Sequence, residues 1–217
     1  EFCKQILKME RANETSEVAE ENNAEILTRS VLNLNINEPF VDLLVTSPPY
    51  VTSYEYADIH QLSTLWLDYS PDYKHFRTGS IGSLYHSFDL RINVPKLNQS
   101  GLSVVMQMYN VDKNQAKAIA QYYVNMQAVV KNLHNIVKKG GACLFVIGNT
   151  EYKSVKIDNA RHLAESLLNE GFNNVTIKRR KILNKILTPY RDKNGKFSSD
   201  KTSRKIYSEE FLIFAQL

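Results

Sequence analysis

Cysteine is nearly absent. Cys3 and Cys143 are the only two and lie far apart, which excludes a disulfide framework or a cysteine-built metal site and suits a reducing cytosol. The five histidines, at 60, 75, 86, 134 and 162, form no H-E-x-x-H or Cys/His cluster, so a metal role is not expected. No apolar stretch approaches the ~20 residues of a membrane span, and no secretory signal is visible. Glycine is also scarce. There are eight, at 79, 82, 101, 140, 141, 148, 171 and 195, and none makes the strand-to-helix G-x-G turn that cradles a nucleotide. Gly79-Ser80-Ile81-Gly82 comes nearest, but Tyr73-Lys74-His75-Phe76-Arg77 before it does not read as a buried strand.

What is present is the composition of a soluble globular protein. The 217 residues are 43% hydrophobic and 23% charged, enough for one domain or two small ones, without an internal repeat. The net charge of +4 is mild, but its distribution is not. Residues 1–25 are polar and acid-rich and read as a helix over 1–12, with Phe2, Ile6 and Met9 on one side, followed by a mobile stretch over 14–23. Positive charge gathers late, in Lys178, Arg179, Arg180, Lys181, Arg191 and Lys193 and on to Lys205. Such a run either contacts a nucleic-acid backbone or is a solvated strand face and loop.

Periodicity supplies the elements. Residues 41–45 read as a parallel strand covered on both faces, and 56–67 as a helix with Ile59, Leu62, Trp66 and Leu67 at helical spacing and Trp66 in the core. Residues 70–112, broken by Pro71, Pro95 and three glycines, read as a long loop insertion. The clearest helix spans 115–138, with Ile119, Tyr122, Met126, Val129, Val130, Leu133 and Ile136 as its core stripe and Gly140-Gly141 as its stop. A buried strand over 142–147 ends in Gly148-Asn149-Thr150. Asp158 then caps a helix that Gly171 stops, and 175–183 and 210–217 form an antiparallel pair joined by the basic loop. The expected architecture is α/β: a mixed sheet with a C-terminal antiparallel hairpin and helices on its faces, in a domain over 26–217 preceded by the polar segment 1–25.

The strongest chemical signal is Ser47-Pro48-Pro49-Tyr50, directly after the apolar run that begins at Val41. Ligands in open α/β sheets bind where such strands end. Two prolines have no N–H to donate and hold a stiff turn whose carbonyls are expected to point outward as acceptors. Ser47 adds a hydroxyl and Tyr50 a flat ring that can stack. An amino group on an aromatic base fits this arrangement.

Thr46-Ser47-Pro48-Pro49-Tyr50 resembles motif IV of the amino-group DNA methyltransferases, in the serine version typical of the cytosine-N4 branch; the adenine-N6 branch more often begins with aspartate. Tyr54-Glu55-Tyr56-Ala57-Asp58, Gly140-Gly141, Gly148-Asn149-Thr150 and Glu209-Glu210-Phe211 are also similar to segments of that family. The resemblance implies a Rossmann-like, S-adenosylmethionine-dependent methyltransferase fold, incomplete in this chain because its glycine-rich donor motif is missing. That motif is then expected in another segment or on another chain. It further implies DNA as partner, a restriction-modification setting, and catalysis by Ser47, Pro48, Pro49 and Tyr50. The donor contacts implied are Ser30, Thr46, Ser47 and Asn149, although the family often has an acid where Ser30 stands, and Asn149 reads equally well as a turn stabiliser. Cytosine-5 chemistry would need a cysteine after proline, and Cys3 and Cys143 follow Phe and Ala. Adenine or RNA as substrate, and a non-catalytic DNA-binding subunit, are the alternatives.

Overall fold

The computed structural model describes residues 4, 6–8, 10–11, 25, 30–34, 36, 38–51, 56–77, 80–81, 89–182, 190–191, 197–200, 204–205 and 209–217. They fall into two units, Glu1–Ser30 and Val31–Leu217. In the first, the described residues between Lys4 and Arg11 are helical, while Phe2, Met9 and the stretch 14–23 lie outside the described residues. Val31–Asn33 is a 3-10 turn whose first two carbonyls accept hydrogen bonds from the Asn132 amide, at 2.8 and 3.2 Å, instead of from a ladder.

The second unit carries the sheet. Strand β1 (Val41–Thr46) leads into helices α1 (Tyr56–Ile59) and α2 (Gln61–Trp66); α3 (Gln99–Tyr109) and α4 (Lys113–Ile136) precede β2 (Val137–Ile147). The hairpin β3 (Thr150–Tyr152) and β4 (Val155–Ile157) leads to α5 (Asn159–Asn169) and β5 (Asn173–Lys181). Three two-residue strands, β6 (Tyr190–Arg191), β7 (Phe197–Ser198) and β8 (Arg204–Lys205), pair among themselves before β9 (Glu209–Gln216). The main sheet has the order β1-β2-β9-β5, with β1 parallel to β2 and β9 antiparallel to both neighbours. It is the mixed sheet expected, with β5 and β9 as its antiparallel pair.

The α4 stripe is buried as its period requires: Ile119, Tyr122, Met126, Val129, Val130, Leu133 and Ile136 all face the core. They share it with Cys143, Phe145 and Ile147 of β2 and Ile213 and Ala215 of β9, which alternate onto one sheet face. Asp112 caps α4 by accepting from Asn114 and Gln115, and its second oxygen takes Lys153 and Tyr152 from the β3–β4 turn. The backbone bond from Gln115 and then the Lys153 ammonium hold the Asp112 carboxyl below its ordinary pKa. Asp158 caps α5 as expected, and Gly171, at φ +88, stops it.

Four expectations fail, each for a physical reason. Strand β1 is an edge strand and is not covered on both faces: Leu43 and Val45 are 61% and 62% exposed, because among the described residues nothing packs on that side. Trp66 is not core but 88% exposed; in α2 only Thr64 is buried, so the apolar spacing there faces outward. The supposed loop insertion contains α3, capped by Asn98, whose side chain accepts from Gly101. Gly101 belongs inside that helix because a Cβ there would lie 2.9 Å from the His162 ring. Finally, Gly140-Gly141 does not stop α4, which ends at Ile136; both glycines lie within β2, where the Gly140 N–H donates to the Leu217 carbonyl at φ +82.

His162 fills the junction of α3, α4 and α5. It is 1% exposed, stacks on Tyr123 at 3.9 Å between ring centres, and its Nε2 lies 3.3 Å from Gln127 Oε1, so the neutral ring donates there. Burial pulls its pKa from 6.5 down to about 3. The unfolded chain therefore binds this proton below pH 6.5 while the folded chain refuses it, and stability falls as pH drops through that window. Between pH 6.5 and 5, above the ordinary carboxylate range, denaturant unfolding should lose roughly 2 kcal/mol. The loss should be absent in His162→Gln; a flat profile in the parent protein would contradict it.

Candidate active site

Strand β1 delivers Ser47 to the carboxyl end of the sheet. Parallel pairing sets Thr46 level with Phe145, so the turn that follows β1 runs beside the turn that follows β2. Ser47 is exposed and Pro48, Pro49 and Tyr50 are half-buried. Without N–H groups the two prolines offer only carbonyls, and the structure uses the two differently. The Pro49 carbonyl points inward and accepts a 2.8 Å hydrogen bond from the hydroxyl of Tyr122, a ring 1% exposed on α4. The expectation of two outward carbonyls is corrected at Pro49, where a buried phenol needed an acceptor. Beside it stands the exposed hydroxyl of Ser47.

Tyr50 lies against Gly148. A Cβ on Gly148 would come within 3.1 Å of the Tyr50 ring, so the missing side chain makes room for it. The Gly148 turn is itself fixed by the start of α5. Asn159, 1% exposed, donates to the Gly148 carbonyl at 2.9 Å. Asn149 accepts from the Ala160 N–H at 3.0 Å and donates to Asp158 at 2.9 Å. Two β-strand ends, the middle of α4 and the first turn of α5 thus hold one short segment.

Of the donor residues the resemblance implied, Thr46 and Ser47 sit at this end of β1, and Asn149 stands in the neighbouring turn with its amide engaged at α5. Ser30 belongs to the other unit. The basic run lies exposed on β5. Successive residues alternate faces, so Lys178 and Arg180 share one side and Arg179 and Lys181 the other. Arg179 pairs with Glu209 at 3.5 Å, and Arg180 with Glu210. Register through Phe211 places Arg179 level with Ile147, at the sheet end that carries Ser47. Three strand spacings separate β5 from β1, about 14 Å. Arg191 contributes backbone to β6, and Lys193 lies outside the described residues.

Cys143 is wholly buried, and burial pushes its thiol up to about 11, so it is no nucleophile. Among the described residues no group of three or more His, Cys, Asp or Glu could hold a metal ion, and no helix is long and apolar enough to cross a membrane. Sequence periodicity placed Tyr122 in the core without its role. The available signal was a hydroxyl in an otherwise aliphatic stripe, which a buried helix face must satisfy.

Two substitutions test this support. Tyr122→Phe should cost about 1 kcal/mol of stability by urea unfolding and shift the NMR signals of residues 49–51. Gly148→Ala should move the Tyr50 ring resonances and leave those around His162 in place. If neither variant disturbs the turn, Tyr122 and Gly148 do not position it.

No protein-family model matches the chain, and no curated protein matches it. Among solved structures, two crystal structures of one Thermus thermophilus protein, provisionally described as a DNA modification methylase, follow a similar path. The selenomethionine derivative is 10% identical over 84% of this chain and 47% of its own, with a TM-score of 0.38. The form complexed with S-adenosyl-L-methionine is 13% identical over 84% and 49%, with a TM-score of 0.40. The chain thus spans about half the length of that protein. At this level of likeness the superposition carries no functional argument, and the site stands on its own geometry.

Proposed function

We propose that this chain holds and activates the acceptor base in an S-adenosylmethionine-dependent methyltransferase of Rossmann-like fold. The acceptor is the exocyclic amino group of a DNA base, with cytosine N4 favoured by the serine of Ser47-Pro48-Pro49-Tyr50. The observation that carries this reading is the division of labour in the turn: Tyr122 takes the Pro49 carbonyl, which leaves Ser47 Oγ and the Pro48 carbonyl as the acceptors for substrate.

The amino nitrogen of cytosine is a poor nucleophile because its lone pair is delocalised into the ring. If Ser47 Oγ and the Pro48 carbonyl accept its two hydrogens, the nitrogen moves toward tetrahedral geometry and the pair is restored. No covalent enzyme intermediate is needed, in keeping with the inert Cys143. Because a base inside a duplex cannot reach this turn, it is flipped out, and Tyr50 offers a ring on which it stacks. Lys178 and Lys181, which lie on opposite faces of β5 and have no ion pair among the described residues, are the charges of that strand left for a DNA backbone, about 14 Å from β1.

S-adenosylmethionine supplies the electrophilic methyl group when bound. The described residues make no complete cradle for it: there is no glycine-rich turn, and the Asn149 amide is engaged at α5. The remaining donor contacts belong to another segment or chain. The edge of β1, with Leu43 and Val45 exposed, is a place where a further strand adds.

Mass spectrometry of nucleosides, from DNA of cells carrying the intact gene, decides the matter. N4-methylcytosine is expected, and Ser47→Ala should reduce it at least about 100-fold while DNA affinity stays within about two-fold of the parent. N6-methyladenine in its place would overturn the cytosine assignment alone. DNA binding without any methylated base would sink the enzyme and leave a non-catalytic subunit.

A further inference from the structure

A polar groove of about 290 Å³ lies between α3, β4 and α5, at the far side of the turn that supports Tyr50. Gln99, Ser103 and Gln107 line one wall, spaced by four residues along a single face of α3. Lys156 of β4 and Arg161 of the first turn of α5 line the other. Neither cation has an ion pair among the described residues. Lys156 stands opposite Glu151 in the hairpin register without bonding to it, and Arg161 acts only at a distance on Glu165.

Two acids lie at the groove, and the Asp158 carboxylate is part of its wall. Asp158 accepts from Asn149 and from the Arg161 N–H. Glu165 turns its carboxylate to the N-terminus of α3 and takes the N–H groups of Gln99 and Ser100 at 2.8 and 2.9 Å. Burial raises the Glu165 pKa, but its bonds from Ser100 and Gln99 and the charge of Arg161 outweigh this and lower it. It therefore stays ionised and keeps to its cap. The groove is lined by two cations, one carboxylate, that of Asp158, two hydroxyls and two amides, and so faces with a net positive charge a space at the low end of ligand-pocket volumes. Val104 is the one apolar residue that lines it.

We propose that this groove is an anion site for a phosphate group, and specifically for a backbone phosphate of the nucleic acid whose base enters at Ser47. The second half of that statement rests on the function proposed above; the first does not. The link is structural: the Asp158–Asn149 bond, at 2.9 Å, joins the groove wall to the turn against which Tyr50 lies. The groove thus gives the strand a second hold at a fixed offset from the reacting base.

The test compares the intact protein with Lys156→Gln, Arg161→Gln and, as a control, Lys138→Gln, whose parent lysine pairs with Asp42 at the opposite end of the sheet. Fluorescence anisotropy with a labelled duplex over about 50 to 200 mM salt should show the slope of log K against log salt falling by about one in each groove variant, and unchanged in the control. Millimolar inorganic phosphate should shift the NMR amide signals of residues 103, 156 and 161 in the parent but not in the variants. Duplex binding with unaltered slopes would overturn the backbone-phosphate assignment. A phosphate response without duplex binding would keep the anion site and defeat the nucleic-acid occupant. No response to either probe would overturn the site itself.

Discussion

The second unit depends on one helix face. Of the eleven buried residues of α4, seven form its long stripe, and six of those seven are held there by shape and apolar area alone. The seventh, Tyr122, brings a hydroxyl into a dry region, and the only cost-free way to bury it is to give it an acceptor. The structure supplies the Pro49 carbonyl. Core packing and the shape of the SPPY turn are therefore one constraint: the depth at which α4 packs sets where Pro49 can lie, and the two prolines transmit that position to Ser47 with little slack.

The same economy appears on the other side of the turn. Gly148, held through its carbonyl by the buried Asn159, gives Tyr50 a flat floor, and the first turn of α5 fixes that floor through Asn149 and Asp158. Rigid elements rather than loops thus define the geometry around Ser47, as an accurate pair of hydrogen-bond acceptors requires. The basic strand β5 is less sharply arranged. Its two arginines are tied to Glu209 and Glu210, so its lysines are the charges left to meet a backbone.

Much of the fold could be read from local pattern. The α4 stripe, the Asp158 cap with Gly171 after it, and the β5–β9 pair each depend on residues close in sequence or on a simple period. What escaped depends on distant partners. Gly101 looked like a helix breaker because the His162 ring that demands a glycine lies 61 positions on. Tyr122 could be placed on the core face, but its bond to Pro49 spans 73 positions. Trp66 and Val45 have the right chemistry for burial and no cover among the described residues, and apolar patterning cannot say whether a face meets its own chain. The SPPY motif was legible because its chemistry is carried by four adjacent residues; the groove between α3 and α5 was not, since its two walls come from segments about fifty residues apart.

Leu217 marks the other end of the sheet from Ser47. Leu217 exchanges hydrogen bonds with Gly140 and Gly141, at the amino end of β2, while Ser47 and Gly148 lie at the carboxyl ends of their strands. Leu217 therefore lies roughly 20 Å from the turn, measured along the strand. A reporter group placed at Leu217 would sense the amino end of β2 and leave Ser47 clear.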